Sequence, residues 1–408
     1  MEVFAYLIPY GLEWLNLIVR WLHVITGIAW IGASFYFVWL DNSIRPPAPG
    51  SELAKKGVSG ELWAVHGGGF YNPQKYLLAP AELPKELHWF KWEAYSTWLS
   101  GFALLTIAYY FNAQAMMIDK AVADLSSGQA VGIGIATLVI GWTVYDLLCR
   151  SKLAQYELWF GVTVFALIVG AAYVLTHLLS GRAAYIHVGA MIGTIMVANV
   201  LMLIIPGQRK MVEAMAAGKL PDPKHGLKAK QRSVHNNYFT LPVLFIMISN
   251  HYAMTYRNDH AWLVLALIMA AGVFIRHFFN LRHKGRVEWR YPAIGVALLL
   301  AVAIAIAPKA PVAAAPAVDP VAQFQRAHAI IAQRCATCHS AQPTQAGFAT
   351  APAGMMLDNE TQIRQHAAQI YKQAIELKAM PIGNLTNMTE AERSELGAWL
   401  QQTMQGAK

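Results

Sequence analysis

The chain has 408 residues, of which 56% are apolar and only 13% are charged. Soluble domains average about 25% charged residues, so this composition excludes an ordinary soluble globular protein and favours a chain that folds largely in lipid. The net charge of +9 does not indicate nucleic-acid binding, because the Lys and Arg residues lie in short segments between apolar runs, as they do in membrane proteins.

Eight apolar stretches predict membrane-spanning helices, each of which needs about 20 residues to cross the hydrocarbon core. The sixth is the weakest, because it is short and contains Pro242. The N-terminus has neither the basic segment nor the cleavage site of a signal peptide, so we expect the first span to remain in the protein. The predicted spans are 14–40, 93–112, 128–148, 157–178, 183–205, 236–252, 261–280 and 291–307.

The positions of Lys and Arg orient these spans. Segments 41–92, 149–156, 206–235 and 281–290 carry 6, 2, 7 and 4 of these residues, whereas the segments after the second, fourth and sixth spans carry one each. Because short cytoplasmic loops are enriched in Lys and Arg, we expect the first set to be cytoplasmic. Both termini would then be periplasmic, in a bacterial inner membrane.

Ionisable residues inside a span mark functional sites in membrane proteins. A His-Val pair begins both the first span, at His23, and the fifth, at His187, which suggests two four-helix halves related by duplication. His235 opens the sixth span and His277 closes the seventh. Because facing helices often supply two imidazoles to one haem, the sequence predicts haem b at His23 and His187, and a second at His235 and His277. A hydrogen-bonded histidine at the interface is the alternative for each.

The segment 41–92 is long for a connection and contains three consecutive glycines beside aromatic residues. Glycines let backbone amides approach an anion closely, and an aromatic ring can stack on a flat heterocycle. A plain interfacial loop is the alternative. The substrate-binding residues predicted here are His66, Gly67, Gly68, Gly69 and Phe70.

Polar residues on the same cytoplasmic side complete the predicted site. Asn236 and Asn237 are adjacent, and their amides could read the edge of a purine-like ring. Glu93, at the inner mouth of the second span, and His235 are the candidate catalytic bases, although Glu93 could also simply flank its span. These residues predict a cytoplasmic site for a flat, anionic heterocycle, and a site on the outer side near Arg20 is the alternative.

The segment 308–320 is rich in Pro and Ala and predicts an extended tether between a membrane domain, 1–307, and a periplasmic domain, 321–408. The tail contains Cys-Ala-Thr-Cys-His at 335–339. This spacing is that of haem c attachment, with Cys335 and Cys338 as thioether links and His339 as an iron ligand. A zinc site would need a second Cys/His pair at ligand spacing. We expect Met380, in a Met-Pro turn, to be the second iron ligand.

Several stretches resemble one known family over essentially the whole chain: "RWLHVITGIAWIGASFYFVWLDNSI", "AVHGGGFYNPQKY", "LHWFKWEAYSTWLSGF" and "HNNYFTLPVLFIMISNHY", followed by Cys-x-x-Cys-His. They are similar to the membrane-bound, cytochrome-c-fused urate oxidases (PuuD type). The first-span motif also resembles the haem-binding HemJ proteins, whose first-span histidine corresponds to His23. The tail resembles a class I cytochrome c, with Cys335, Cys338, His339 and Met380 in that family's positions.

The resemblance implies an all-α protein that oxidises urate to 5-hydroxyisourate in purine catabolism, with water supplying the hydroxyl oxygen. Electrons would pass to haem c and then to a soluble cytochrome c or a terminal oxidase. The alternative is a membrane haem protein that relays electrons from quinol to an outer cytochrome, without an organic substrate to oxidise. A transporter with a cytochrome sensor has little support beyond the number of spans.

Overall fold

A computed structural model describes residues 2–307 and 320–406 of the chain. It is 70% helix and 3% strand, which confirms the predicted all-α class. The predicted linker, 308–320, lies outside the described residues except for Pro320.

The first part of the chain is a helical bundle. Its helices are α1 (Glu2–Ser43), α2 (Glu52–Lys55), α3 (Trp92–Leu105), α4 (Ala113–Met116), α5 (Ser127–Arg150), α6 (Glu157–Thr176), α7 (Gly181–Ala198), α8 (Ile205–Ala216), α9 (Pro223–Ser249), α10 (Ala253–Tyr256), α11 (Ala261–His283) and α12 (Arg290–Ala305). π-helical segments, Thr106–Tyr110 and Asn199–Ile204, extend α3 and α7, and a 3-10 turn, Lys152–Gln155, precedes α6.

Each of the eight predicted spans overlaps one of these helices, and five helices are long and apolar enough to cross a membrane. The remaining three spans stay predictions, for three different reasons. The helical stretch that starts at Trp92 changes to π-helix at Thr106, the first half of α9 is polar, and α12 has only 16 residues. The five are Tyr10–Ser43, Ser127–Arg150, Glu157–Thr176, Gly181–Ala216 and Ala261–His283.

The core of the bundle lies around α7, which packs against α5, α6 and α9. Small residues allow these helices to approach one another closely. A Cβ at Gly141 of α5 would lie 2.3 Å from Met191 Cγ, and a Cβ at Gly189 of α7 would lie 2.5 Å from Ile246 Cγ2. Small residues at helix contacts are typical of bundles that fold in lipid, where close van der Waals packing holds helices together.

The two ends of the bundle differ in charge. At the basic end, Lys230 pairs with Asp41 at 3.3 Å and Gln231 Nε2 donates to the Ala154 carbonyl at 3.0 Å, so the Lys- and Arg-rich segments meet there. At the opposite end, the tail-facing end, Arg257 pairs with Asp119 at 3.0 Å. The structure therefore groups three of the four segments, 41–92, 149–156 and 206–235, as the Lys and Arg count predicts, while the side of the membrane stays a prediction.

The tail folds as a small helical domain. Thr389 and Glu392 form a capping box at the start of the last helix: Glu392 N donates to Thr389 Oγ1 at 3.2 Å, and Thr389 N donates to Glu392 Oε2 at 2.7 Å. Leu396 and Trp399 lie on the buried side of this helix. The helices are α13 (Pro320–Arg334), α14 (Glu360–Gln365), α15 (Ala367–Ile370) and α16 (Glu390–Gly406), with a π-helical segment at Tyr371–Glu376 and 3-10 turns at Pro352–Gly354 and Ile382–Asn384.

Candidate functional site

The Cys-x-x-Cys-His motif directly follows α13. Cys335 and Cys338 are free thiols, and Cys335 packs against the tail core. His339 Nδ1 lies 3.0 Å from the Met355 carbonyl, which leaves Nε2 as the nitrogen available to an iron atom. Burial raises the pKa of Cys335 to about 12 and also raises the pKa of Cys338, while burial lowers the pKa of His339. At neutral pH the unlinked motif therefore offers two protonated thiols and a neutral imidazole.

The loop with Met380 packs on the same core as Cys335. Its position is held by Arg393 of α16, whose Nη1 donates to the Met380 carbonyl at 2.8 Å and also to the Ala374 carbonyl. The Met380 amide donates to the Gln373 carbonyl at 3.0 Å. This small domain offers two thiols for the covalent links to haem c. It also offers one imidazole nitrogen and one thioether as iron ligands, so these residues fit haem c.

The Met380 loop contacts the tail-facing end of the bundle. Gly383, at φ +55°, lies so close to α4 that a Cβ would be 2.9 Å from the Ile118 carbonyl oxygen and 3.1 Å from that of Ala115. Thr350 Oγ1 donates to Glu13 Oε1 at 3.0 Å. The tail therefore docks through the loop that presents the proposed iron ligand.

Aromatic and polar contacts continue from this interface into the bundle. Arg182, which lies beside Gly383, donates through Nη2 to the Tyr256 hydroxyl at 3.3 Å. Tyr109 donates to Asn250 Oδ1 at 2.9 Å and meets the His187 ring edge-on, with centroids 6.5 Å apart. His187 thus lies in the layer beneath the docked tail.

The glycine run forms a β-hairpin. Ala64–His66 pairs antiparallel with Gly69–Tyr71, and Gly67 and Gly68 take φ values of +57° and +80° at the turn. Such a turn needs two residues with positive φ, so its geometry accounts for these two glycines. The Phe70 side chain is 77% exposed, and no described hydrogen bond joins the hairpin to Asn236 or Asn237. Substrate binding by the hairpin stays a prediction.

His235 and Asn236 belong to a buried polar network. Arg232 pairs with Asp146 at 2.7 Å and donates to Asn199 Oδ1 at 3.1 Å, and Asn199 Nδ2 donates to Asn236 Oδ1 at 2.8 Å. Asn236 Nδ2 in turn donates to the Met196 carbonyl, while His235 Nδ1 lies 2.8 Å from the Tyr145 hydroxyl. The hydrogen bonds of Asn236 are therefore used within the protein.

Asn237 points away from this network, towards α11. Its Oδ1 accepts from Arg276 Nε and from Asn280 Nδ2. The structure thus does not bring the two adjacent amides to one surface, because successive residues of a helix face different neighbours. Glu93, in the first turn of α3, has a buried Oε2 with no partner among the described residues, and it is the candidate base whose carboxylate remains free to take a proton.

The membrane-domain histidines contact different helices. His23 packs on α3, where its Nδ1 lies 3.1 Å from the Thr97 carbonyl, and His277 Nδ1 lies 2.7 Å from the Tyr238 hydroxyl. His187 packs directly on α5, so that a Cβ at Gly134 would lie 2.5 Å from His187 Nε2. His187 Nε2 also lies 3.3 Å from the Tyr110 hydroxyl, and haem b at His187 stays a prediction. The half-buried His23 packs on Gly101 of α3, but a Cβ there would lie 3.6 Å from Nε2, which has no described hydrogen bond and fits an axial ligand.

A family model described as "Urate oxidase N-terminal" matches residues 9–307. The chain belongs to this family. The match covers the whole helical bundle, ends before the tail, and supports an oxidoreductase that acts on urate. No curated protein and no solved structure matches the chain.

Two residues of interest in the bundle, Arg276 and Asn280, were not predicted as site residues. Arg276 precedes His277 in the seventh span, and a charged residue inside a span is the signal that could have identified it. Asn280 follows one helical turn later, on the same face. Their contact with Asn237 depends on how α9 packs against α11, which the local sequence does not specify.

Proposed function

We propose that this protein is a membrane-bound urate oxidase that converts urate to 5-hydroxyisourate and passes the electrons to its own haem c. Membership of the urate oxidase N-terminal family supports the substrate. The docked tail supports the acceptor, since the Met380 loop lies against α4. This contact carries the proposal, because it joins the family domain to a domain with the donors of haem c.

The chemistry balances without dioxygen as a reactant. Urate loses two electrons and two protons overall, and water supplies the oxygen of the new bond at C5. Glu93 is the favoured proton acceptor, because its Oε2 is buried and unpartnered, whereas His235 Nδ1 is bound to Tyr145. Cys335, Cys338, His339 and Met380 would hold haem c, which would supply a one-electron acceptor, so each urate would require two transfers.

The arrangement supports a tail on the periplasmic side of a bacterial inner membrane. The tail docks at the end of the bundle with few Lys and Arg residues, and the basic end would face the cytoplasm by the positive-inside rule. A soluble cytochrome c or a terminal oxidase would then take electrons from the tail.

A site near the basic end would lie across about 30 Å of hydrocarbon from the tail. One direct electron transfer over that distance is too slow for turnover. A haem b with His23 as ligand would supply an intermediate one-electron centre, and the column of His187, Tyr109, Tyr256 and Arg182 fills the space below the docked tail.

A second candidate function is electron relay from quinol to the tail. One observation favours it: an apolar groove of about 520 Å³ lies between α5, α6 and α7, and Tyr145 is among its lining residues. Such a groove could hold an apolar ring with a hydroxyl group nearby.

An anaerobic absorbance spectrum of the detergent-purified protein, before and after addition of urate, tests the proposal. If urate reduces the c-type haem, the oxidase function is supported. An additional reduced b-type band would show that the membrane domain also holds haem. If urate leaves the spectrum unchanged while a quinol reduces the haem, the relay function replaces it.

A further inference from the structure

A buried polar cluster lies where α1, α9 and α11 meet. Asn237, Arg276 and Asn280 are only 1%, 4% and 8% exposed. Arg276 Nε donates to Asn237 Oδ1 at 2.9 Å, and Asn280 Nδ2 donates to the same oxygen at 3.0 Å. We refer to Asn237, Arg276 and Asn280 as the Asn-Arg-Asn cluster.

Three polar atoms of this cluster have no partner. Arg276 Nη2, Asn237 Nδ2 and Asn280 Oδ1 are shielded from solvent and form no hydrogen bond with any described residue. Native proteins leave few buried polar groups in this state, because such a group loses its hydrogen bonds to water and gains none. The cluster therefore offers two donors and one acceptor to a group that the polypeptide does not supply.

The charge of the cluster is also unbalanced. Arg232, the other deeply buried arginine of the bundle, pairs with Asp146 at 2.7 Å. By contrast, no described carboxylate forms an ion pair with Arg276. The guanidinium instead lies over the Phe35 ring, 4.1 Å from its centroid. A buried charge without a counter-charge is costly, so an anion bound here would be strongly favoured.

We infer that the Asn-Arg-Asn cluster binds the substrate as a planar heterocyclic anion, with Arg276 facing the anionic edge and the two amides reading neighbouring ring groups. This inference rests on the proposed function and locates its substrate. A urate monoanion presents carbonyl oxygens to donors and ring N–H groups to acceptors, which matches the three unpartnered atoms. Phe35 holds the guanidinium plane in place.

The position suits entry from the basic end. Arg276 precedes the end of α11 at His283 by seven residues, which corresponds to about 10 Å along the helix axis. An anion that approaches this end meets the Lys and Arg residues of its connecting segments first. Electrostatic attraction of this kind raises the local concentration of an anionic substrate.

Buried water is the competing occupant. Water could satisfy the three hydrogen bonds, but it would not neutralise Arg276. If urate binds at the cluster, removal of the Arg276 charge will weaken urate binding. If only water binds there, removal of the charge will leave urate affinity unchanged.

Equilibrium binding of urate to dithionite-reduced protein, measured by calorimetry, isolates binding from turnover because the reduced protein accepts no electrons. We expect Arg276→Gln to weaken urate binding by about 10- to 100-fold, the usual effect of losing one charge-assisted hydrogen bond. Arg282→Gln, which removes the same charge from an exposed position of α11, is the matched control. At an ionic strength of about 0.15 M, where exposed charges are largely screened, it should bind urate nearly as the wild type does.

Asn280→Asp guards against a variant that fails to fold. It is nearly isosteric and gives Arg276 an internal counter-charge, but it removes the hydrogen bond that Asn280 Nδ2 donates to Asn237 Oδ1. If the Asn237 amide turns over, its unpartnered Nδ2 can donate to the new carboxylate. The protein should therefore stay folded, as its thermal unfolding will show, while urate binding falls. Wild-type affinity in both Arg276→Gln and Asn280→Asp would overturn the inference and leave the proposed function standing. A wild-type protein that neither binds urate nor is reduced by it would overturn both.

Discussion

Substitution of Gly383 by Ala should weaken docking of the tail on the bundle and leave the haem of the tail reducible. In the docked state the new Cβ would lie 2.9 Å from the Ile118 carbonyl oxygen, just after α4, and a backbone atom cannot give way as easily as a side chain. Overpacking of this kind costs about 1–3 kcal/mol. The ratio of docked to undocked tail should then fall by about 5- to 150-fold.

Gly383 has a φ of +55°, a left-handed backbone that is strained for any residue other than glycine. Gly383→Ala therefore adds backbone strain to the clash at the interface. Gly354→Ala is the matched control: Gly354 also has a positive φ, +66°, but a Cβ there has no neighbour within 4 Å. The difference between the two variants therefore reports the interface contact alone.

Stopped-flow absorbance under anaerobic conditions measures the effect. Urate should reduce the c-type haem of the Gly383→Ala variant more slowly than that of the wild type or of Gly354→Ala, while dithionite reduces all three completely. Equal urate-driven rates in Gly383→Ala and the wild type would refute the reasoning that the docked geometry delivers the electrons.

Three further predictions concern the cofactors and the acid stability of the tail. Different axial ligands set haem potentials over a range of about 0.8 V, so Met380→His should lower the midpoint potential of haem c by a large fraction of that range. A potentiometric titration measures the change, and an unchanged potential would exclude Met380 as the ligand. His23→Ala should abolish any b-type absorbance and keep the c-type band, and a surviving b-type band would refute the assignment of His23 as a haem b ligand. The backbone amide of Thr389 holds the pKa of Glu392 below 4.5, so this carboxylate stabilises the tail above about pH 4.5 and less as the pH falls through its lower folded-state pKa. Glu392→Gln should flatten that acid-side loss in thermal unfolding curves, and an unaltered pH profile would contradict it.

Local patterns are the easiest to recognise in a sequence. The capping box at Thr389 depends on two residues three positions apart, so no long-range packing is needed to recognise it. The Cys-x-x-Cys-His motif is equally local, and haem c attachment there stays a prediction. The meeting of Lys- and Arg-rich segments at one end of the bundle was predictable because it depends on counts of Lys and Arg and tolerates errors at helix ends, while the side of the membrane stays a prediction.

The features that could not be predicted depend on packing or on ambiguous local patterns. Two glycines in a row fit both an anion-binding loop and a tight hairpin turn, and only the pairing of His66 with Gly69 distinguishes the two. Asn236 and Asn237 are adjacent in the sequence, yet α7 covers one and α11 the other. Similarly, the depth of His187 in its span does not reveal that Gly134 of α5 lies against the imidazole, which depends on how the two helices pack.

An anaerobic titration of urate into the fully oxidised protein tests the central claim most directly. The account predicts that the c-type band is reduced without dioxygen, that one urate is consumed for every two one-electron haem centres reduced, and that 5-hydroxyisourate is formed. If urate is consumed only when dioxygen is present, and the haem stays oxidised, the electrons do not pass through the tail and the account is wrong.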